Sequence, residues 1–394
     1  MQPAGTMPVR PWMQTPVIPA LEARGAIARF VGGCVRDSLL DRPVGDIDIA
    51  TDARPEANMA RLEEAGIRVI PTGLAHGTVT AVTDEGHFEV TTLRVDVETD
   101  GRHARVEFTD DWIGDARRRD LTMNALYADA DGRLYDPVDG LADARAGRVR
   151  FIGDADRRLK EDYLRLHRYF RFLAWYGREA PDPGDLAACA ANAQGTAGLS
   201  GERLRVEMLK LLAAGTPMPA LGLMHESGVL RQTLWADPDL PRCEAVLAAG
   251  TDPVRRLGAL TGDPEATAGR MKLSRHETRR ICQMHLADED LDRAESLAGI
   301  RAAAQRLGVE RAADRLAFLG RADLAKALDG WQVPDLPVAG RDLLAEGLRP
   351  GPHIGELLRN VEAWWRAAAF EPDREACLAH LREEIAARPD LPRA

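Results

Sequence analysis

Asp46 and Asp48 stand two residues apart in Gly45-Asp46-Ile47-Asp48-Ile49-Ala50. A strand through this segment puts both carboxylates on one face and both isoleucines on the other. At roughly 3.3 Å per residue the carboxylates lie about 7 Å apart and repel unless a cation sits between them. Mg²⁺ suits that place, because it binds through few carboxylates plus phosphate oxygens. Taken alone, a solvated strand edge or turn is the commoner reading of Asp-x-Asp. The residues upstream change the balance. Ile27 to Val31 reads as a strand ending in Gly32-Gly33, and Val35 to Leu40 as a short helix carrying Arg36. Glycines let backbone N–H groups approach a triphosphate closely, and an arginine adds charge-assisted bonds to it. An ordinary tight turn would also explain the glycine pair. Phosphate loop and metal pair together point to nucleotidyl transfer. Glu89, in Phe88-Glu89-Val90-Thr91-Thr92-Leu93-Arg94, is a third candidate carboxylate. It could deprotonate an attacking hydroxyl, assist the metal, or be an exposed strand residue.

These groups need a sheet to hold them. Arg68–Ile70, Thr78–Val82 and Phe88–Leu93 read as further strands with Gly-rich turns between them. An α+β (or α/β) domain is expected over residues 26–155, behind a proline-rich, flexible segment 1–25 in which Met7 or Met13 could equally start translation. Beyond residue 156 strand-like runs become rare. Helical periodicity recurs in 157–176, 201–213, 255–261, 275–285, 311–328, 353–369 and 372–387, with proline-rich breaks between. Residues 156–215 read as a helical neck and 216–394 as a helical body and tail.

Composition sets outer limits. The 394 residues carry a formal net charge of −10, which argues against bulk electrostatic coating of RNA but not against a local basic groove. Arg270, Lys272, Arg275, Arg279 and Arg280 form the densest basic cluster of the helical half, read as a solvated helical face ahead of an RNA-binding one. No stretch is long and apolar enough to span a membrane. The five cysteines are scattered without zinc spacing, so a reducing cytoplasm is the expected compartment.

A second constellation lies in 157–176. Leu159, Tyr163, Leu166, Phe170 and Leu173 recur at steps of three and four and form one apolar stripe. On a continuous helix Asp162 and Arg165 are surface neighbours, with Arg168 and Arg171 following. Most such pairs are solvated salt bridges. This pair has a sharper possibility. Cytosine and adenine present an amine donor beside a ring-nitrogen acceptor, matched by a carboxylate and a guanidinium. Guanine and uracil present the reverse and would leave polar groups unpaired, at about 1–3 kcal/mol each.

The segment FVGGCVRDSLLDRPVGDIDIAT resembles the first motif of the class II tRNA nucleotidyltransferases, a branch of the polymerase-β-like superfamily. Gly73-Leu74-Ala75-His76-Gly77-Thr78-Val79 resembles the family's next turn. Arg118-Arg119-Asp120-Leu121-Thr122-Met123-Asn124-Ala125-Leu126 resembles its RRDFTxNAL motif, with Leu121 replacing Phe. Asp136-Pro137-Val138-Asp139-Gly140 resembles its hinge segment, Glu161-Asp162-Tyr163-Leu164-Arg165 its EDxxR motif, and Leu199–Leu204 the opening of its neck helices, where Ser200 is a candidate N-cap. The resemblance implies a polymerase-β-like head followed by helical neck, body and tail. It implies Mg²⁺ on Asp46 and Asp48, and triphosphate against Gly33 and Arg36. It further implies ribose and phosphate contacts from Arg118, Arg119, Asp120 and Asn124, base reading by Asp162 and Arg165, and nucleotide contacts from Arg168 and Arg171. His167 and Tyr169 depart from the aliphatic and small residues usual in the family, so local repacking is expected there.

The activity implied is addition of C, C and A to the tRNA 3′ end from CTP and ATP. Bacterial poly(A) polymerase is the nearest alternative, but its basic Ile-Gly-Arg-Arg-Phe-type segment is missing at Pro71–Thr78. Enzymes adding only CC or only A are a further alternative. Thr99-Asp100-Gly101-Arg102-His103 resembles the flexible-loop segment that CC-restricted enzymes tend to lack, which favours the full reaction. No His-Asp phosphohydrolase motif is found in the C-terminal half. Nothing in the sequence fixes the oligomeric state.

Overall fold

The computed structural model describes residues 1–100 and 103–393. The chain divides into two compact units, Met1–Trp235 with Arg270–Lys272, and Ala236–Gly269 with Leu273–Ala394. The first holds residues 1–25, the expected head and neck, and also 216–235 and 270–272, which the sequence reading gave to the body.

Among the described residues, ten strands lie in the first unit: β1 (Gly5–Thr6), β2 (Ala28–Val31), β3 (Ile47–Thr51), β4 (Arg68–Gly73), β5 (Thr78–Thr83), β6 (Gly86–Thr92), β7 (Arg94–Asp100), β8 (His103–Phe108), β9 (Tyr127–Ala128) and β10 (Arg133–Tyr135). Eight form one sheet in the order β1-β10-β9-β2-β3-β6-β5-β4, and β7 and β8 form a separate antiparallel pair. Within the large sheet only β3 and β6 run parallel. Period-two alternation explains its burial. On one face Phe30, Ile49, Val79, Ala81, Val90 and Leu62 are fully or almost fully buried, Leu62 coming from the Pro55–Glu64 helix. Asn58 of that helix donates to Ala53 O and Thr92 Oγ1, tying helix to strand ends. The opposite face carries Val31, Ala50, Leu93, Trp112, Ala116 and Tyr127 in one apolar cluster. Its edge is where the carboxylates emerge.

Residues 1–25 differ from the expected flexible segment. Gly5–Thr6 pairs with β10, and the Val17–Glu22 helix buries Val17, Ile18 and Leu21. Their apolar side chains, spaced among prolines, cover a sheet face that would otherwise be wet.

The neck also departs from the sequence reading. The single helix expected over 157–176 is two, Ala155–Glu161 and Leu164–Tyr176, broken where Asp162 takes an extended conformation (φ −155°, ψ 107°). Two i,i+4 pairs on the first helix are satisfied without continuing it. At the break the Asp162 carboxylate accepts the Leu164 N–H at 3.0 Å, a local bond that competes with the helical ladder. Pro183–Ala191, Gly201–Leu212, Met218–Glu226 and Val229–Leu234 complete this part. Ser200 occupies the N-cap of Gly201–Leu212 without a side-chain cap bond. Gly201 is required there because a Cβ would meet Arg270 O at 2.3 Å.

The second unit is helical, as expected. Arg275–His285, Pro352–Ala367 and Arg374–Ala386 match the periodic stretches, whereas 311–328 is two helices, Val309–Phe318 and Ala322–Lys326, parted at Gly320 (φ 74°). Two apolar clusters hold the unit, one around Ile300, Ala304, Leu316 and Ala317, the other around Leu357, Val361, Trp365 and Leu381. The basic cluster reading needs correction. Arg280 is bound to Asp314 and Asp252 at 2.8–2.9 Å, and Asp314 is 1% exposed. In the first unit Arg270 is buried, donating to Leu199 O and Thr196 O over the Trp235 ring. Lys272, Arg275 and Arg279 stay exposed.

Candidate active site

One cleft of about 710 Å³ in the first unit is lined by Gly32, Gly33, Arg36, Asp46, Asp48, Arg118, Arg119, Asp120, Asn124, Asp162, Arg165, Arg168 and Arg171. Of the sequence-predicted residues only Glu89 is missing from its wall. It stands beside the wall, paired in register with Asp48 on the parallel strand β6 and exposed.

One side of the cleft grows out of the β2–helix turn. Gly32 has φ 77°, which an L side chain adopts only with strain, and its N–H donates to Leu126 O. The Gly33–Leu39 helix follows and presents Arg36. That guanidinium is almost wholly buried and already engaged. Nε and Nη2 bind both oxygens of Asp37, Nη1 donates to Asn124 Oδ1 at 2.5 Å, and Nη2 donates to the Tyr176 hydroxyl at 2.7 Å.

The carboxylates behave as their crowding demands. Asp46 lies in a bend just before β3 and is exposed; Asp48 is half-buried on β3 opposite Val31. Burial, then the Glu89 charge, pushes the Asp48 carboxyl up to about 6, with Asp46 adding to the rise and Arg119 opposing it. A pair of carboxylates with hard oxygen donors, one open to solvent and both lining the cleft, fits a divalent cation such as Mg²⁺. Neighbouring Cys34 is no nucleophile: burial holds its thiol up at about 12.

Arg118 and Arg119 are both anchored on Asp115, which takes two N–H groups from each and the Tyr127 hydroxyl. Burial alone would raise the Asp115 carboxyl, but the two guanidiniums and the hydroxyl outweigh it and hold it at about 2. Asp120 lines the cleft but has its carboxylate committed to protein partners. It accepts Arg168 Nε at 2.5 Å and Asn124 Nδ2 at 3.1 Å, and these partners overcome burial and keep it well below the usual carboxylate range. Asn124 in turn accepts Arg36. Arg171 donates to Glu207 at 2.6 Å, and Glu207 also lies 3.9 Å from Arg168.

The opposite wall carries Asp162 and Arg165. The helix break removes the expected i,i+3 neighbour relation, yet both still line the cleft. Asp162 Oδ2 accepts Arg203 Nη2 at 2.7 Å, and Arg165 Nη1 donates to Glu161 at 2.7 Å and to Arg158 O at 2.8 Å. Behind them His167 is 1% exposed and burial lowers its pKa to about 3, so it is neutral. Thr233 Oγ1 donates to Val229 O, so His167 Nε2 is the donor to Thr233 and Nδ1 is left without a partner among the described residues. Of the Asp100-Gly101-Arg102 loop segment, Gly101 and Arg102 lie outside the described residues.

Sequence reasoning missed Asp37, Asp115, Tyr176 and Glu207, and gave Arg203 no role in the base pocket. Asp115 carried a signal, three and four residues before Arg118 and Arg119. Tyr176 and Glu207 carried none, because they reach their partners across 140 and 36 residues of chain.

Residues 28–150 match the family model described as the poly A polymerase head domain, and 181–242 match the one described as the probable RNA and SrmB-binding site of polymerase A. The CCA tRNA nucleotidyltransferase 1, mitochondrial, of Danio rerio is 38% identical over 90% of this chain and 87% of its own length. The CCA-adding enzyme of Levilactobacillus brevis is 32% identical over 89% and 92%. The crystal structure of the Bacillus stearothermophilus CCA-adding enzyme in complex with CTP is 30% identical, covers 94% of this chain and 96% of that one, and superposes with a TM-score of 0.66. With identity at this level over nearly the whole of both chains, the chain belongs to the CCA tRNA nucleotidyltransferase family.

Proposed function

We propose that this chain adds C, C and A to the 3′ end of tRNA from CTP and ATP, releasing pyrophosphate, in a Mg²⁺-dependent reaction. The observation that carries the reading is that Asp46 and Asp48 share one cleft with Asp162 and Arg165. A metal-facing carboxylate pair and a base-facing donor–acceptor pair then act on a single nucleotide. Asp46 and Asp48 would hold the metal, which when bound supplies positive charge to the reacting phosphate and lowers the pKa of the attacking hydroxyl. Glu89 stands beside Asp48 as a further acceptor for a proton or a metal-bound water. Gly32, Gly33 and Arg36 hold the triphosphate, with Arg118 and Arg119 lining the same space on their Asp115 anchor. Asp120, Asn124, Arg168 and Arg171 hold that wall in shape.

Base choice follows from what Asp162 and Arg165 exchange. Each already has a charged partner, Arg203 or Glu161. Cytosine or adenine offers an amine to Asp162 and a ring nitrogen to Arg165, so both groups keep a full set of partners. Uracil or guanine offers the opposite polarity, so neither group can exchange its present partner for the base without losing a bond. The tRNA would lie on the helical half, recognised by shape and backbone. The cytoplasm is the proposed compartment; all five cysteines are free and four are buried, which a reducing environment permits.

A poly(A) polymerase is the second reading, favoured by the description of the matched head model. Incubation with labelled CTP or ATP and tRNA lacking its CCA end, with Mg²⁺, separates the two. Incorporation of two C and one A is expected. Long A tails on generic RNA would support the second reading, and no incorporation would overturn both.

A further inference from the structure

The residue that fixes the phosphate-side arginine comes from the far end of the base-reading helix. Tyr176 closes Leu164–Tyr176, thirteen residues that begin two positions after Asp162. Its hydroxyl does two things at once: it accepts Arg36 Nη2 at 2.7 Å and donates to Asp37 Oδ1 at 2.9 Å. Its ring lies 4.2 Å under the Arg36 guanidinium carbon, and Phe172, stacked on it at 5.3 Å, supports the same guanidinium at 4.9 Å. Arg42 closes the outer side, 4.5 Å from the Tyr176 ring and donating to Trp175 O at 2.6 Å. Burial keeps the phenol above its usual range, so it retains the proton it donates.

Counting donors shows what this leaves. Four of the five guanidinium N–H groups of Arg36 go to Asp37, Asn124 and Tyr176, and among the described residues one on Nη1 remains. A side chain so held cannot swing to meet a ligand. It offers one fixed donor and a fixed positive charge to the cleft. We propose that Tyr176 is a positioning residue for triphosphate binding: through Arg36 it makes the base-reading helix also set the phosphate grip, independently of which base is bound. This rests on the proposed nucleotidyl transfer at the same cleft.

The test compares wild type with Tyr176→Phe, which keeps the ring and loses the hydroxyl, and Tyr176→Leu, which loses both. Binding of inorganic tripolyphosphate to the whole chain is measured by calorimetry, and KM and kcat for CTP and ATP on tRNA lacking its end. Tyr176→Phe is expected to weaken tripolyphosphate binding and to raise both KM values by one common factor, roughly 3- to 10-fold, the worth of one hydrogen bond. Its kcat and melting temperature should stay close to wild type, and Tyr176→Leu should lose more in both affinities. Unchanged tripolyphosphate affinity in Tyr176→Phe, or unequal factors for CTP and ATP, would overturn the proposal. If wild type incorporates neither nucleotide, the transfer reading fails separately, and the tripolyphosphate comparison still decides the role of Tyr176.

Discussion

Asp162→Asn is the substitution that isolates base reading from folding. Asp162 Oδ1 holds the Leu164 N–H at 3.0 Å, and Oδ2 holds Arg203 at 2.7 Å. Alanine would remove the first bond too and loosen the helix start. Asparagine keeps its oxygen on Leu164 and replaces Oδ2 with an amide donor. Toward the base, an acceptor becomes a donor. Cytosine then faces its amine against an N–H and loses a bond; uracil faces its carbonyl oxygen against the same N–H and gains one. Each swap is worth about 1–3 kcal/mol when buried. The Asp162 side chain is 28% exposed, so the low end applies, and the two swaps together come to about 2–3 kcal/mol. At 1.4 kcal/mol per decade, the preference for CTP over UTP should narrow by roughly 30- to 150-fold. Arg165 still opposes the uracil N3–H, so full reversal is not expected. The assay is kcat/KM for CTP and UTP on tRNA lacking its CCA end. A CTP:UTP ratio unchanged in a folded Asp162→Asn protein would refute base reading by this carboxylate.

Other substitutions separate chemistry from packing. Asp48→Asn should abolish incorporation while raising the melting temperature, since burial and the Glu89 and Asp46 charges already disfavour its ionised form; incorporation near the wild-type rate would remove Asp48 from the metal site. His167→Leu should alter the pH dependence of stability. The folded His167 pKa of about 3 lies below the ordinary 6.5, so the unfolded chain binds the extra proton between those values and wild-type stability falls with acidification at up to ~1.4 kcal/mol per pH unit. The variant lacks that slope, so its stability relative to wild type should improve by about 2 kcal/mol from pH 6.5 to 5; an equal gap in urea unfolding at both values would count against it. Gly195→Ala would place a Cβ 2.1 Å from the Tyr163 ring beside Asp162 and should cost about 1–3 kcal/mol with reduced incorporation, whereas Gly198→Ala, with open space around it, should be neutral by both measures.

The strands and the Asp46–Asp48 carboxylate pair were legible because their signals are local. Alternation through Ile47–Ala50 and the glycines before Arg36 need only a few consecutive residues. The helix break at Asp162 was not legible. Apolar residues recur at helical spacing straight through Leu159, Tyr163 and Leu166, so periodicity bridged a kink that a side-chain-to-backbone bond creates. The N-terminal segment was misread for a related reason. Its prolines obscured Val17, Ile18 and Leu21, which pack only once the sheet exists. Arg270 and Arg280 looked like surface charge because composition cannot show that carbonyl oxygens and Asp314 await them. The resemblance to a family placed Asp120 and Asn124 at the nucleotide, but only the structure shows them spending their bonds on Arg168 and Arg36.

That last point bears on how an acidic protein makes a site for polyanions. Eight arginines and five aspartates line the cleft, so the local balance is positive although the chain is not. Most of these charges are committed to one another. Asp37 holds Arg36, Asp115 holds Arg118 and Arg119, Asp120 holds Arg168, and Glu207 holds Arg171. Each pair fixes a guanidinium at the cost of part of its charge, so the arginine wall is rigid before a nucleotide arrives. Asp46, Asp48 and Glu89 are the exception. Among the described residues none of their carboxylates accepts a hydrogen bond from a cationic side chain, and burial, with the Glu89 and Asp46 charges adding to it, raises Asp48 to about 6. An arginine placed there would have stabilised the fold and occupied the space a divalent cation needs. The missing ion pair is therefore the most specific electrostatic feature of the cleft. Asp48 meets the Glu89 and Asp46 charges with Arg119 opposing them, so a cation bound there from solution would relieve the repulsion.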